Sequence, residues 1–273
     1  MSATWRDNAP SPEHPPIGPL GWMLAFVRGL ALAVLIFGGL FILLILRMVE
    51  RPAFGMVRPI TPSITVFVCR NALRIMSLRV NISGAPMSGQ GAFVANHSSW
   101  LDIIVLNACS RVYFVSKSDV ASWPGIGWLA RATGTVFVER RRTKVAEQSL
   151  AFQTRLKAGH RLLFFPEGTS SDGQRVLPFK SSLFAAFLTP ELGDMLELQP
   201  VSVRYHAPPG ADPRFYGWWG DMEFGPHMLR ILATPSHGSV SVNYAAPIIA
   251  ADHNNRKTLA ALCEAQVRSG YER

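Results

Sequence analysis

The chain has 273 residues, enough for one large domain and an appendage. Lys and Arg outnumber Asp and Glu by 27 to 18, a formal charge of +9, yet only 16% of residues are charged and 48% are apolar. That balance is too greasy for a soluble nucleic-acid module and points to an anionic membrane surface or an acidic partner, so no nucleic-acid partner is expected.

Residues 1–20 are polar and proline-rich and read as a disordered tail. Gly29 to Leu46 then runs 18 residues without a charge. As a helix it would be about 27 Å long, close to the hydrocarbon thickness of a bilayer. A signal peptide does not fit, because the run is too long and Arg47, Glu50 and Arg51 follow it in place of a small-residue cleavage site. Arg47, Arg51 and Arg58 against Arg6 and Arg28 orient the chain with its bulk in the cytoplasm, at the inner membrane. Whether the run spans or lies in one leaflet stays open at this level. Residues 62–79 form a basic stretch in which Arg70 and Arg74 share one helical face; it suits either the interface plane or a surface helix packed on the domain. Residues 21–79 are thus expected to be a membrane-anchoring helical segment.

From residue 80 to 273 short apolar runs alternate with helical patterns. Strands are expected at Val80–Ser83, Ala92–Ala95, Val112–Ser116, Thr135–Val138, Arg161–Phe165, Gln199–Tyr205 and Ser239–Tyr244. Helices are expected at Trp100–Cys109, Gly125–Ala132, Lys144–Ala158, Ser181–Leu188 and Arg256–Arg268. This order predicts an α/β domain with a mixed, largely parallel sheet flanked by helices. Residues 207–238, rich in Pro, Gly and Trp, read as a long excursion, either a lid or a surface insertion. Cys69, Cys109 and Cys263 are odd in number and widely spaced without C-x-x-C, which argues against disulfides or a zinc site.

The chemistry-bearing patches follow predicted strands, where ligand sites of α/β sheets gather. N-H-S-S-W-L-D at 96–102 sets His97 five residues before Asp102. Ser99 to Asp102 also fits a helix capping box, in which Asp102 would only accept helix-terminal amides. Lys117 closes Y-F-V-S-K, Arg140 closes G-T-V-F-V-E-R, and F-P-E-G-T-S-S-D-G at 165–173 carries Glu167, Gly168, Thr169 and Ser170, with Lys180 shortly after. Singly, each has a dull reading as a turn, a cap or a solvated charge.

Their order does not. N-H-S-S-W-L-D, W-P-G-I-G-W, G-T-V-F-V-E-R, F-P-E-G-T and Q-P-V-S-V, over roughly residues 80–205, resemble the glycerolipid acyltransferase family, best known from the bacterial 1-acyl-glycerol-3-phosphate acyltransferases. The resemblance implies a membrane-associated O-acyltransferase that moves a fatty acyl chain from an acyl-carrier-protein or coenzyme A thioester to the hydroxyl of a lysolipid, among membrane lipids. It needs no cofactor and no metal. Transfer to a hydroxyl requires its deprotonation, and a histidine is suited to that task. The family's His and Asp pair corresponds to His97 as general base and Asp102 as the group that orients it, as in a Ser-His-Asp triad whose hydroxyl belongs to the substrate. The resemblance further implies substrate contacts: Arg140 on an anionic head group, Glu167, Gly168 and Thr169 shaping the acceptor site, and Lys117 at the tetrahedral oxyanion or the donor phosphate. A non-catalytic adaptor of the same fold has no reason to keep His97 and Asp102.

One position departs from the pattern. Phosphatidate-making members usually carry arginine after F-P-E-G-T, and here Ser170 stands there. Losing a bidentate phosphate donor weakens the case for a phosphomonoester acceptor. The string T-S-S-D-G looks closer to the branch acting on lyso-ornithine lipid, whose ammonium would meet Asp172 and the serines and whose carboxylate would meet Arg140. Lysophosphatidate remains the alternative acceptor.

Overall fold

The computed structural model describes residues 5–6, 12, 15–138, 145–188, 196–253 and 255–272. One sheet contains β1 (Arg79–Ser83), β2 (Gly91–Ala95), β3 (Tyr113–Lys117), β4 (Val136–Val138), β5 (Leu162–Phe164), β6 (Glu197–His206), β7 (Ser239–Tyr244) and β8 (Ile248–Ile249). Its order is β1-β7-β6-β2-β5-β3-β4, with β8 paired to β6. All pairs are parallel except β6 with β7 and with β8. The seven expected strands are present; β8 is too short to show a periodicity in the sequence.

Strand β2 is buried throughout, which is why it reads G-A-F-V-A with no polar alternation. Phe93 and Ala95 face a core built with α2 (Thr61–Ile75), α3 (Leu101–Cys109) and α6 (Phe224–Ala233). Ala92 and Val94 face the opposite layer, made by α5 (Val145–Lys157) and α7 (Arg256–Glu272). A further helix, α4 (Ile126–Thr133), precedes β4. The helix expected at Ser181–Leu188 is a 3₁₀ helix at Leu183–Phe187, and the excursion at 207–238 contains α6. Helix α6 lay hidden because Pro226 interrupts its pattern in the sequence; at the first turn proline costs no helical hydrogen bond.

Helix α1 (Pro19–Phe54) has 36 residues, about 54 Å, well beyond the uncharged run. It is apolar around most of its circumference, and Phe26, Val34, Phe41 and Met48 are exposed. It lies along the helical layer. Near its start, Arg28 donates to the carbonyls of Leu232 (3.0 Å) and Thr234 (2.6 Å) at the end of α6. Further on, Gly39 lets Val68 of α2 approach so closely that a Cβ there would meet Cγ2 at 2.4 Å. At the hairpin, buried Glu50 accepts from the Ile60 and Thr61 amides and the Thr61 hydroxyl, and pairs with Arg47. That carboxylate supplies the otherwise missing N-terminal acceptor of α2.

The described residues of the 1–20 tail lie against the domain. The Trp5 amide donates to Thr169 Oγ1 (3.2 Å), Arg6 pairs with Asp221 (2.9 Å), and the Pro15 carbonyl accepts from Arg230. An aromatic ring and prolines that lose little entropy on ordering make such docking inexpensive.

Close approach of β2 to β6 requires Gly91, where a Cβ would fall 1.8 Å from the Glu197 carbonyl oxygen. We expect Gly91→Ala to destabilise the domain by about 2–4 kcal/mol through overpacking against backbone. Denaturant melts of the detergent-solubilised protein measure this, and a parent-like midpoint would contradict it.

Candidate active site

The C-terminal ends of β2 and β5 are neighbours in a parallel pair, so residues 96–102 and 165–173 meet at one edge of the sheet. Beyond β2, the Asn96 side chain both donates to the Val203 carbonyl and accepts from its amide, each at 2.8 Å, fixing the strand end against β6. His97 follows, partly exposed, with Phe165 stacked on its ring at 4.2 Å. Its Nδ1 lies 2.7 Å from Asp102 Oδ2.

Asp102 is fully buried, and both its oxygens are engaged. Oδ2 also accepts from the Ser98 (2.8 Å) and Ser99 (3.0 Å) amides, and Oδ1 accepts from the Tyr205 hydroxyl (2.7 Å). With an acceptor-only oxygen opposite, Nδ1 carries the ring proton and Nε2 keeps the lone pair, a tautomer assigned from the network. Capping and orienting therefore coexist: the bond to Ser99 is half of the capping box expected from S-x-x-D.

Glu167 is buried behind this pair. Its Oε2 accepts the His97 amide (2.7 Å) and its Oε1 the Leu177 amide (2.8 Å), tying the loop after β5 to the backbone of His97. Burial pushes its carboxyl up to about 8, against the pull of the two amide donors, and the neighbouring Asp102 adds to the rise. Its geometry is that of a backbone clamp. Gly168 adopts φ +73°, a conformation glycine takes without strain, and its amide donates to the Phe165 carbonyl (3.1 Å). Thr169 receives the Trp5 amide, and Ser170 is buried. Ser171 donates its amide to the His97 carbonyl (3.0 Å).

Lys117 stands half-buried at the end of β3 on the same sheet edge, paired in register with Val138. Lys180 is exposed, with its amide on the Pro166 carbonyl (3.0 Å). Arg140 lies outside the described residues. Asp172, expected to meet an acceptor ammonium, is fully buried: its Oδ1 accepts the Gln174 amide (3.1 Å) and its Oδ2 the Arg175 guanidinium (2.8 Å). A carboxylate without solvent access must take its partners from the protein. The group facing outward is Arg175, half exposed, its guanidinium 5.4 Å over the Trp5 ring.

Tyr205 and Asn96 were not singled out from the sequence. Strand parity held the signal for Tyr205, which shares the face of Val201 and Val203 that turns toward α3. Among the described residues no group of three or more His, Cys, Asp or Glu is placed to hold a metal ion.

A family model described as Acyltransferase matches residues 78–204. Lyso-ornithine lipid O-acyltransferase of Rhodobacter capsulatus is 51% identical over 266 residues, covering 97% of this chain and 96% of its own. The chain belongs to the acyltransferase family. A 1-acyl-sn-glycerol-3-phosphate acyltransferase of Neisseria gonorrhoeae is 30% identical over 68% of this chain and 71% of its own. The crystal structure of the 1-acyl-sn-glycerophosphate acyltransferase of Thermotoga maritima shares the fold, with TM-score 0.65 at 20% identity over 92% of this chain and 95% of that one. This acyltransferase is an O-acyltransferase of lysolipid-acylating type.

Glu167 gives the folded enzyme a pH signature. Its proton is held more tightly in the folded chain, at about 8, than at the ordinary 4.5. The folded state gains most below pH 4.5, and this contribution is lost as pH rises through 8. Glu167→Gln should lower stability overall, because its amide nitrogen faces an N–H donor, and should flatten the decline between pH 5 and 8.5. Denaturant melts at the two pH values compare the slopes; equal slopes in parent and variant would contradict the assignment.

Proposed function

We propose that this acyltransferase transfers a fatty acyl chain from an acyl-carrier-protein or coenzyme A thioester to the free hydroxyl of lyso-ornithine lipid. The observation that carries the reaction is His97 with Nδ1 held by Asp102, which leaves Nε2 as the base. Nε2 takes the acceptor's hydroxyl proton as the oxygen attacks the thioester carbonyl. The tetrahedral intermediate collapses by expelling the thiolate, to which His97 returns the proton. Asp102 stabilises the imidazolium between these steps. Lys117 is assigned to the oxyanion or the donor phosphate and Arg140 to the acceptor's anionic group, with Gly168, Thr169, Ser170 and Lys180 lining the acceptor side.

For the acceptor, Ser170 in place of a guanidinium and the similarity to the Rhodobacter capsulatus enzyme support lyso-ornithine lipid over lysophosphatidate. Arg175 does not discriminate, since its fork suits a carboxylate or a phosphate equally. Losing one charged hydrogen-bond partner for a phosphomonoester costs about 1.5–3 kcal/mol, roughly ten- to hundredfold in specificity.

Attachment follows from α1 and α2, embedded along one leaflet of the inner membrane with the domain on the cytoplasmic side. A helix crossing the bilayer would separate residues 5–6 from the domain, whereas Trp5 contacts Thr169 and Arg6 contacts Asp221. The exposed apolar side of α1 then faces the acyl chains.

Purified enzyme assayed against both lysolipids tests the reading. Lyso-ornithine lipid should be preferred at least tenfold in kcat/KM, and a tenfold preference for lysophosphatidate would reverse it. His97→Ala should abolish transfer while folding is retained; near-parent turnover would remove His97 from its role. Ser170→Arg, checked for an unchanged melt, should raise the relative rate with lysophosphatidate. In cell fractions the chain should stay with membranes through a high-salt wash, because apolar burial and not charge holds it. Recovery in the soluble fraction would contradict the anchor.

A further inference from the structure

A groove of about 460 Å³ lies between α2 and the turn from α3 to β3, at the end of α3 away from the catalytic pair. Three guanidiniums line it, Arg70, Arg74 and Arg111, and no carboxylate does. Each is held by one neutral partner: Arg70 Nε by the Ala108 carbonyl (2.8 Å), Arg74 by Asn71 Oδ1 (3.0 Å) and Arg111 by Ser63 Oγ (2.8 Å). Among the described residues none of the three forms an ion pair. A guanidinium has five N–H donors, so each retains several for a ligand. Three like charges gathered without an acid repel one another, and a bound anion relieves that repulsion.

The rest of the lining is mixed, with Ser63, Asn71 and Ser110 on its polar side and an apolar wall opposite. Val66, Phe67 and Cys109 form that apolar wall, and Phe67 is 61% exposed. Helix α2 packs on α1, whose Phe37, Phe41 and Leu44 are exposed as well. A free anion has no use for that apolar wall, and an acidic protein would not need a cleft. A molecule with a phosphate at one end and acyl chains at the other matches both halves.

We propose that this groove binds the headgroup phosphate of an anionic membrane phospholipid, a lipid that is not the substrate. The three arginines hold the phosphodiester, and the acyl chains run along Phe67 and the outer side of α1. Bound there, the lipid fixes the depth of the α1–α2 hairpin at the interface. Helix α3 separates the groove from the His97–Asp102 end by nine residues, about 13 Å, so occupancy leaves the catalytic pair open.

Native mass spectrometry of the full chain in neutral detergent tests this, with equal amounts of phosphatidylglycerol and phosphatidylcholine as probes. The parent should retain phosphatidylglycerol about tenfold better. Arg74→Gln with Arg111→Gln should bring the two lipids within about twofold, while Arg256→Gln with Lys257→Gln, at the exposed start of α7 on the other face, should keep the preference. Arg74→Gln alone, whose lost bond is to Asn71 on the surface, should give an intermediate loss and guards against misfolding. No preference in the parent, or an undiminished one in the double variant, overturns the proposal. So does abolition of the preference by millimolar inorganic phosphate, which would make the groove a free-phosphate site. Weaker binding of acyl carrier protein by the double variant, with lipid retention unchanged, would assign the groove to that protein instead and equally overturn it.

Discussion

A carboxylate sealed from water is tolerated only when the protein supplies its donors, and Asp102 organises the sheet edge around His97 under that constraint. Four donors converge on it: the His97 ring, two amides of the loop that follows, and the Tyr205 hydroxyl from β6. Satisfying them fixes the start of α3, the turn out of β2 and the orientation of the imidazole together. Glu167 repeats the device one layer behind, clamping His97 through its backbone. The two acids hold the histidine by different atoms, one by its ring and one by its amide. An imidazole held in this way keeps one orientation without reorganisation.

The same edge is where the anchor begins. Trp5 reaches Thr169, α1 starts at Pro19, and the helix then runs back along the layer formed by α6 and α2. The apolar helix therefore starts beside the sheet edge that carries His97. Trp100, Trp218, Phe224 and Trp123 form a chain of edge-to-face contacts between the start of α3, the excursion and the segment after β3. Their apolar rings and polar edges suit a boundary between water and hydrocarbon.

In the loop after β5 the buried and exposed charges are sorted by packing. Asp172 is closed in by Arg175 and Gln174, so the loop presents Arg175 outward and hides the acid of T-S-S-D-G. The hydroxyl of Ser171 lies between the His97 and Arg175 carbonyls and braces the loop. Which side chains this loop turns outward is thus a property of its fold more than of its composition.

Much was legible in the chain itself. Local pattern located all seven longer strands, among them β2, whose burial on both faces the structure then showed. The blocks in order identified the reaction class, and His97 with Asp102 stood out because five residues across a strand–helix turn bring the two side chains within one turn of each other. Tertiary structure decided the rest. Tyr205 reaches Asp102 from 103 residues away and Glu167 reaches His97 from 70, separations at which no sequence period carries information. Asp172 had the composition of a binding residue, and only packing showed it to be enclosed. The uncharged run of α1 fixed its affinity for lipid, since that is a sum over its own side chains. Its lie along the domain was decided by Arg28, Gly39 and Glu50, whose partners α6 and α2 had first to be brought beside it by folding.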